Sequence, residues 1–271
     1  MKKLALPAAL LLAPLLASCT TGATTSATTD DAASTAPPPA AAGEVHWSYE
    51  GDEGPDEWGH LADEFAECEQ GDAQSPIDLP EHAGQKLAQH PRIESSPTVG
   101  ESVDTGHTVQ LVPDGDASRV EWKDETFDLA QVHFHVPSEH TVEGEPADAE
   151  FHFVHTAQDG QALVLGVLAE EGDENAAWQP FIDGAAAPGA TDLPIDVAAM
   201  LPEDPTFEEY AGSLTTPPCT EGVEWVVYHT PVELSADQIE ALEAAYADNA
   251  RPVQPQGDRV AHEGTVRVVE H

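Results

Sequence analysis

The stretch that decides the fold reads Gln131-Val132-His133-Phe134-His135, in which polar and apolar residues alternate. Successive side chains of a β-strand point to opposite faces, so Gln131, His133 and His135 share one face while Val132 and Phe134 share the other. One apolar face and one polar face are typical of a strand in an antiparallel sheet. The stretch therefore predicts a strand that presents two imidazoles side by side.

A second alternating run follows a turn-rich insert and reads Glu150-Phe151-His152-Phe153-Val154. By the same alternation, Glu150, His152 and Val154 lie on one face. If the two strands pair in the antiparallel sense, His152 comes close to His133 and His135. The two runs together predict three converging histidines.

Three neutral imidazoles without a fourth protein ligand are typical of a catalytic zinc site, because a structural site is closed and usually contains thiolates. Gln131 and Glu150 each stand two residues before a histidine on the same face. From there a side chain can accept the second ring N–H of that histidine and fix its tautomer. We therefore expect Gln131 and Glu150 to orient the metal ligands.

The histidines allow two alternative interpretations. A His-x-His pair in an aromatic strand is often incidental, but the second strand argues against that here. The cupin pattern, His-x-His followed by a glutamate, fits His133, His135 and Glu139. Phe127 and Pro146, however, stand where the glycines of the cupin pattern should be.

The remaining pattern predicts a mainly β (α+β) fold: a single domain on a large, twisted, mostly antiparallel central sheet with a few short peripheral helices. Alternating runs at residues 108–112, 120–122, 127–129 and 163–168 are separated by turn residues. Ser235 and Gln238 form a capping box ahead of Ile239, Leu242 and Tyr246, which share a helical face, and this pattern predicts a helix. About 228 residues without an internal linker fit one domain, so we assign the domain to residues 44–271.

Residues 1–18 have the pattern of a signal peptide. Lys2 and Lys3 precede an apolar run over residues 4–16, which is too short to span a bilayer. The run ends in Leu16-Ala17-Ser18-Cys19, which resembles a bacterial lipoprotein box, so we expect Cys19 to carry a lipid. A signal that is cleaved without lipid attachment is the alternative.

Residues 19–43 follow as a disordered tether, because Thr, Ala, Ser and Pro dominate them and no aromatic or large aliphatic side chain is available for a core. Flexible-chain scaling gives the tether a reach of about 25 to 30 Å. The expected location is the outer face of the cell membrane or the periplasmic side, in an oxidising compartment, with the lipid on Cys19 as the sole membrane contact.

Acidic residues dominate the composition, with 51 Asp and Glu against 9 Lys and Arg and a formal net charge of −42 at pH 7. This charge argues against nucleic acid as a partner. In dilute buffer the carboxylates repel one another, whereas at about 1 M salt the Debye length falls to about 3 Å and most of that repulsion is screened. We therefore expect a salt-adapted protein; an acidic surface that serves only solubility is the alternative.

Several longer motifs carry a resemblance to a known family, namely residues 131–139, residues 150–155, Gln74-Ser75-Pro76-Ile77-Asp78 and Gly212-Ser213-Leu214-Thr215-Thr216-Pro217-Pro218-Cys219. From about Val45 to about Arg267 the chain resembles the alpha-class carbonic anhydrases. The resemblance implies reversible hydration of carbon dioxide to bicarbonate and a proton by zinc-bound hydroxide. It implies Zn²⁺ as the cofactor, on His133, His135 and His152, and CO2 or bicarbonate as the small-molecule substrate.

The resemblance also implies roles for residues outside the ligand set. Thr215 would accept the hydrogen of the hydroxide and donate its own to the carboxylate of Glu139, while His107 would carry protons to solvent. Other residues would form the substrate pocket, namely Val154, Val164, Leu214, Thr216 and Trp225. Tyr49 and Gln110 would order the waters of the proton path. His155 alternates away from His152 and is interpreted as a core histidine.

With Cys19 assigned to lipid, Cys68 and Cys219 remain as an even pair in an exported protein, which predicts a disulfide; two buried free thiols are the alternative. The family loops further imply cis peptide bonds at Ser75-Pro76 and Pro217-Pro218. The oligomeric state is left open by the sequence.

The competing functional hypothesis is a zinc-binding surface lipoprotein that performs no catalysis. Thr215, Glu139 and His107 discriminate between the two, because a metal carrier needs none of them.

Overall fold

β-strands dominate the computed structural model, which describes residues 45–81 and 84–271. The strands are β1 (Asp78–Leu79), β2 (Gln85–Lys86), β3 (Arg92–Ser95), β4 (Thr98–Asp104), β5 (Val109–Pro113), β6 (Ser118–Trp122), β7 (Glu125–His135), β8 (Thr141–Val142), β9 (Glu145–Pro146), β10 (Ala149–Thr156), β11 (Ala162–Glu171), β12 (Leu193–Ile195), β13 (Thr206–Ser213), β14 (Glu221–Tyr228), β15 (Val232–Leu234), β16 (His262–Thr265) and β17 (Arg267–Glu270).

The helices are short and few among the described residues. They are α1 (Trp58–Leu61), α2 (Glu67–Gln70), α3 (Gln179–Ala186), α4 (Val197–Met200) and α5 (Ala236–Ala245), with 3-10 turns at Gly51–Glu53 and Asp63–Phe65. The predicted signal peptide 1–18, the lipid site Cys19 and the tether 19–43 lie outside the described residues.

One sheet of 14 strands organises the domain, with the main order β12-β4-β5-β7-β10-β11-β14-β13-β16-β2. Most neighbours run antiparallel, which confirms the predicted fold class. β14 nevertheless lies parallel to β11, because the long connection through α3 and α4 allows a crossover. The sequence runs at 127–129 and 131–135, interpreted as separate, belong to the single long strand β7.

The pairing of β7 with β10 creates the functional face. The strands are antiparallel, with His133 opposite His152 and His135 opposite Glu150. Residues directly opposite each other project to the same side, so this register brings all four side chains together. A register shift follows at Val154/His155, beyond the histidine ligands.

The other face of β7 and β10 packs into the main hydrophobic core. Phe134 lies edge-on to Phe181 of α3, and Phe151 stacks on Trp178 with ring centroids 3.8 Å apart. Burying each such ring contributes about 2 kcal/mol relative to leaving it exposed. The two strands that carry the histidines are therefore held in place by core packing on their opposite face.

The N-terminal part of the domain is cross-linked to the loop after β13. Cys68 and Cys219 form the predicted disulfide, across a sequence separation of 151 residues. In the chain-entropy account, a loop of that length gives up to about 5 kcal/mol of stability. The peptide bonds at Ser75-Pro76 and Pro217-Pro218 are cis as expected, and Val136-Pro137 is cis as well, which the sequence did not indicate.

Helix α5 begins with the predicted capping box, in which the Ser235 side chain accepts from the Gln238 amide. Ile239 and Leu242 are buried as expected, whereas Tyr246 ends the helix as its C-cap. Within residues 45–81 and 84–271, no helix is both long enough and apolar enough to cross a bilayer.

Candidate metal centre and active site

Three imidazoles converge where β7 faces β10. The possible ligand atoms of His133, His135 and His152 all lie within 4.8 Å of one another. Nδ1 of His152 is 3.2 Å from Nε2 of His133. Two nitrogens on one tetrahedral zinc lie about 3.3 Å apart, so this spacing fits a shared ion.

The protonation state of the histidines also fits a metal. Burial lowers the pKa of His133 well below its ordinary value, lowers that of His135 to about 4 and also lowers that of His152. Each ring therefore favours the neutral form that binds metal. Nε2 of His135 is buried without a hydrogen-bond partner among the described residues, an arrangement that a bound cation would satisfy.

Two of the rings are oriented by the residues that the sequence indicated. Gln131 Oε1 lies 2.9 Å from Nδ1 of His133, and Glu150 Oε1 lies 2.9 Å from Nε2 of His152. Because these oxygens accept one ring N–H each, the opposite nitrogens, Nε2 of His133 and Nδ1 of His152, face the metal position.

The third ring is oriented by a residue that sequence reasoning missed. Nδ1 of His135 donates to the backbone carbonyl of Asn249 at 2.7 Å. The Asn249 side chain accepts from the Val136 amide at 2.8 Å and donates to the Phe134 carbonyl at 3.1 Å. Any residue type has a carbonyl, so no sequence signal marks this position for His135.

Glu150 is fully buried, yet it is satisfied as a carboxylate. Its oxygens accept from the backbone amides of Glu139 and His140 at 2.9 and 2.8 Å and contact Nδ1 of His140 at 2.7 Å. Burial raises the pKa of Glu150, but the charges and hydrogen bonds of His140 and His152 outweigh burial, so the pKa lies well below its ordinary range. His140, assigned no role from the sequence, thus stabilises the charge that orients His152.

The absence of a side chain at position 166 leaves room for the Glu150 carboxylate. A Cβ on Gly166, which lies opposite His152 on β11, would come within 3.1 Å of Glu150 Oε1. Beyond Glu150, Nε2 of His140 lies 2.6 Å from the hydroxyl of Tyr210. The buried contacts therefore continue from the metal ligands into the sheet.

Thr215 and Glu139 meet beside the three imidazoles. Thr215 lies close enough to the Glu139 carboxylate for its hydroxyl to lower the pKa of that group. The Arg251 backbone N–H donates to Glu139 Oε1 at 2.8 Å, whereas Glu139 Oε2 is buried without a hydrogen-bond partner among the described residues. Glu139 Oε2 is 3.5 Å from Nε2 of His135. Burial raises the pKa of Glu139 to about 7 while these hydrogen bonds lower it, and a nearby cation would favour the carboxylate further.

Arg251 is a second residue whose role the sequence did not reveal. Its side chain is 2% exposed and donates to Gln74 Oε1 and to the carbonyls of Ser75 and Cys68, at 2.8 to 2.9 Å. Arg251 thus joins the disulfide segment, through its guanidinium, to Glu139, through its backbone N–H. Basic residues are rare in this acidic chain, and that rarity is the sequence signal that could have marked Arg251 as important.

An apolar wall adjoins the metal position. Val154, Val164 and Trp225 are cross-strand neighbours on β10, β11 and β14, and they pack in one cluster with Leu214. The Trp225 ring lies 4.8 Å from the His152 ring. The fifth predicted pocket residue, Thr216, is half-buried in a turn closed by the Cys219 amide.

The predicted shuttle residue lies on the turn between β4 and β5. The His107 ring is half-buried and stacks on Trp47, with centroids 3.6 Å apart. Tyr49 lies edge-on to His107; burial and the charge of Glu139 raise its pKa well above the ordinary value. Gln110 is half-buried on β5.

His155 lies in the core, as the alternation indicated. It is fully buried, its Nδ1 donates to the Phe153 carbonyl at 2.9 Å, and burial lowers its pKa to about 4.

A sequence model described as eukaryotic-type carbonic anhydrase matches residues 53–264. A carbonic anhydrase of Neisseria gonorrhoeae is 38% identical over 225 residues, covering 81% of this chain and 88% of that protein.

Two solved structures share the fold of this chain. The alpha-carbonic anhydrase of Thermovibrio ammonificans, in complex with sulfanilamide, superposes with a TM-score of 0.76 at 39% identity, covering 81% of this chain and 100% of that one. A dioscorin complexed with ascorbate also superposes with a TM-score of 0.76, at 28% identity. The match covers 82% of this chain and 98% of the dioscorin chain. The chain belongs to the eukaryotic-type (alpha) carbonic anhydrases, a family of zinc-dependent lyases.

Proposed function

We propose that this protein hydrates carbon dioxide reversibly with zinc held by His133, His135 and His152. The observation that carries the proposal is the convergence of three buried, neutral imidazoles beside the Thr215–Glu139 pair. Zinc supplies Lewis acidity at such a site, and carbonic anhydrase is itself the standard example of its effect on the acidity of water. A carrier would need the ligands but not the pair.

In this proposal Thr215 positions the nucleophile. A bound zinc ion would favour the ionised form of Glu139. Because an ionised carboxylate can only accept, the Thr215 hydroxyl then donates to it. The remaining lone pairs of Thr215 are then free to accept a hydrogen from the attacking nucleophile. Carbon dioxide, which is small and apolar, would bind against Val154, Val164, Leu214 and Trp225 near Thr216.

The test is a CO2-hydration assay of residues 44–271. We expect activity that a zinc chelator abolishes and that stoichiometric zinc restores. Full activity after the bound metal has been removed to below one-hundredth of an equivalent would refute the zinc assignment, whereas stoichiometric zinc without activity would favour the carrier hypothesis.

His107 is proposed to carry the product proton to solvent, with Tyr49 and Gln110 ordering the intervening waters. Histidine has an ordinary pKa near 6.5, which suits proton exchange near neutral pH. The His107 ring stacks on Trp47 and lines a cavity of about 210 Å³ together with Tyr49 and Asn249.

We predict that His107→Ala lowers kcat in dilute buffer by about tenfold to a hundredfold and leaves kcat/KM nearly unchanged, because proton export follows the chemical step. Added imidazole should restore kcat, since it carries the same proton. Steady-state kinetics over a range of buffer concentrations measure both quantities. Undiminished kcat in dilute buffer would rule out the shuttle.

Salt adaptation is proposed from the charge. Nine Lys and Arg accompany 51 Asp and Glu, and one of the nine, Arg251, is buried. Most surface carboxylates thus have no cation to pair with, so folding brings like charges together.

We predict that the urea midpoint of unfolding rises markedly between about 0.1 M and about 2 M KCl, as screening removes the repulsion. Near pH 4 the carboxylates begin to protonate, so the effect of salt should shrink there. Urea titrations followed by tryptophan fluorescence measure the midpoint. An equal salt effect at both pH values would indicate general salting-out instead.

We also propose export and lipid anchoring through Cys19, supported by the sequence of residues 1–43 and by the Cys68–Cys219 disulfide, which is typical of an oxidising compartment. Mass spectrometry of the membrane-extracted protein tests the lipid. A mature N-terminus other than a lipid-modified Cys19 would contradict the anchor.

A further inference from the structure

The chain segment that follows α5 touches the turn carrying His107 at two points. The Tyr246 hydroxyl donates to Asp104 Oδ1 at 2.5 Å, and Asn249 Nδ2 donates to the His107 carbonyl at 3.1 Å. We call these two hydrogen bonds the turn ties. They come from residues 142 positions away along the chain.

Local bonds define the shape of the turn but not where its tip lies. The Thr105 amide and hydroxyl both donate to the Thr108 carbonyl, and Gly106, at a φ of +84°, donates its amide to Asp104 Oδ1. Asp104, Thr105 and Gly106 are exposed. A tip of this kind is free to move as a unit unless something outside the turn holds it.

The end of the turn is anchored on the ligand strand, because the Thr108 hydroxyl donates to the Phe134 carbonyl at 2.7 Å. That bond fixes residue 108, while the turn ties act on residues 104 and 107. The backbone of the tip is therefore held from the segment after α5, while the His107 ring itself stacks on Trp47.

The same segment also touches the metal ligands. The Asn249 carbonyl accepts from Nδ1 of His135, while the Asn249 side chain donates to the His107 carbonyl. One buried residue thus contacts both a ligand ring and the backbone of the proposed shuttle. Tyr246 and Asn249 both line the cavity of about 210 Å³ beside His107, which has room for several waters at about 30 Å³ each.

We propose that the turn ties position His107 for proton transfer, so that Asp104 and Tyr246 are positioning residues for the release of the proton. The inference rests on the proposed shuttle role of His107. Tyr246 carries the sharper test, since it touches no metal ligand in the described structure, whereas changes at Asn249 would also disturb His135.

The decisive variant is Tyr246→Phe, which removes one hydroxyl. We expect kcat in dilute buffer to fall about twofold to fivefold, the effect of losing one partly exposed hydrogen bond. Bound zinc and kcat/KM should not change, and imidazole should restore kcat. Tyr228→Phe is the matched control: its hydroxyl is buried without a hydrogen-bond partner among the described residues, so kcat should stay at the wild-type value.

Conservative variants and a double variant exclude a merely structural effect. Asp104→Asn keeps an oxygen that accepts from Tyr246 and from the Gly106 amide and should retain most of kcat. Asp104→Ala removes both bonds, so its kcat should fall at least as far as that of Tyr246→Phe. In the His107→Ala background, Tyr246→Phe should have no further effect on kcat, because the tie then positions no shuttle.

Three results would overturn the inference, and they are distinguishable. Wild-type kcat in Tyr246→Phe, with a clear loss in His107→Ala, rejects the tie and keeps the shuttle. Equal losses of kcat and kcat/KM without imidazole rescue mean that Tyr246 supports the metal site or the fold instead. Wild-type kcat in His107→Ala removes the shuttle itself, and the role of the tie with it.

Discussion

His152→Ala should yield a protein that holds no stoichiometric zinc and shows no measurable CO2 hydration. His152 supplies Nδ1 from β10, opposite the His133 nitrogen at 3.2 Å, so its loss leaves two ligands from β7 alone. Two imidazoles cannot hold zinc at the affinity of a three-ligand site. Metal content by atomic absorption and hydration rate by stopped flow measure the two losses.

Two controls separate ligand loss from unfolding. His90→Ala removes an exposed imidazole outside the site and should keep full zinc and activity. Far-UV circular dichroism and the urea midpoint of His152→Ala should show that the sheet persists. If this variant kept one zinc per chain, the assignment of His152 as a ligand would be wrong.

Thr215→Ala should keep stoichiometric zinc but lose about a hundredfold to a thousandfold in kcat/KM, the size of effect seen when one positioned hydrogen-bonding group is removed from a transition state. The alanine leaves Glu139 buried without its hydroxyl donor and leaves the nucleophile unoriented. Thr215→Ser retains the hydroxyl and should recover most of the rate.

Thr220→Ala serves as the loop control, because Thr220 is exposed on the same loop. It should behave as wild type in both zinc content and rate. If Thr215→Ala lost zinc to the same extent as His152→Ala, the division between ligand and orienting residue would fail.

The face of the site was predictable because alternation is a local property. The period of two in residues 131–135 and 150–154 determines which side chains share a face, and antiparallel pairing then brings them together. The orienting positions of Gln131 and Glu150 follow from the same rule. These inferences need no knowledge of distant segments.

The contributions of Asn249, Arg251 and His140 were not predictable in this way. Asn249 acts on His135 through a backbone carbonyl, 114 positions away along the chain. Arg251 reaches the disulfide segment across 183 positions. Long-range contacts of irregular segments have no periodicity, so pattern alone does not reveal them.

The parallel pairing of β11 with β14 was equally hidden. Sequence runs predict that strands exist, but the order in which β14 joins β11 depends on the crossover through α3 and α4. The apolar wall of Val164 and Trp225 exists because of that order, and only the family resemblance indicated it.

The position of Asn249 and Arg251 has a consequence for the biosynthesis of the enzyme. The three histidines of the metal centre are made before residue 153, yet the carbonyl that orients His135 lies 114 positions further along the chain. The amide that contacts Glu139 lies 112 positions beyond that residue. A nascent chain that has emerged as far as β14 has all its ligands but lacks these contacts. Completion of the metal centre therefore has to wait until residue 251 has been made, and zinc acquired earlier would meet a His135 ring that lacks its orienting carbonyl.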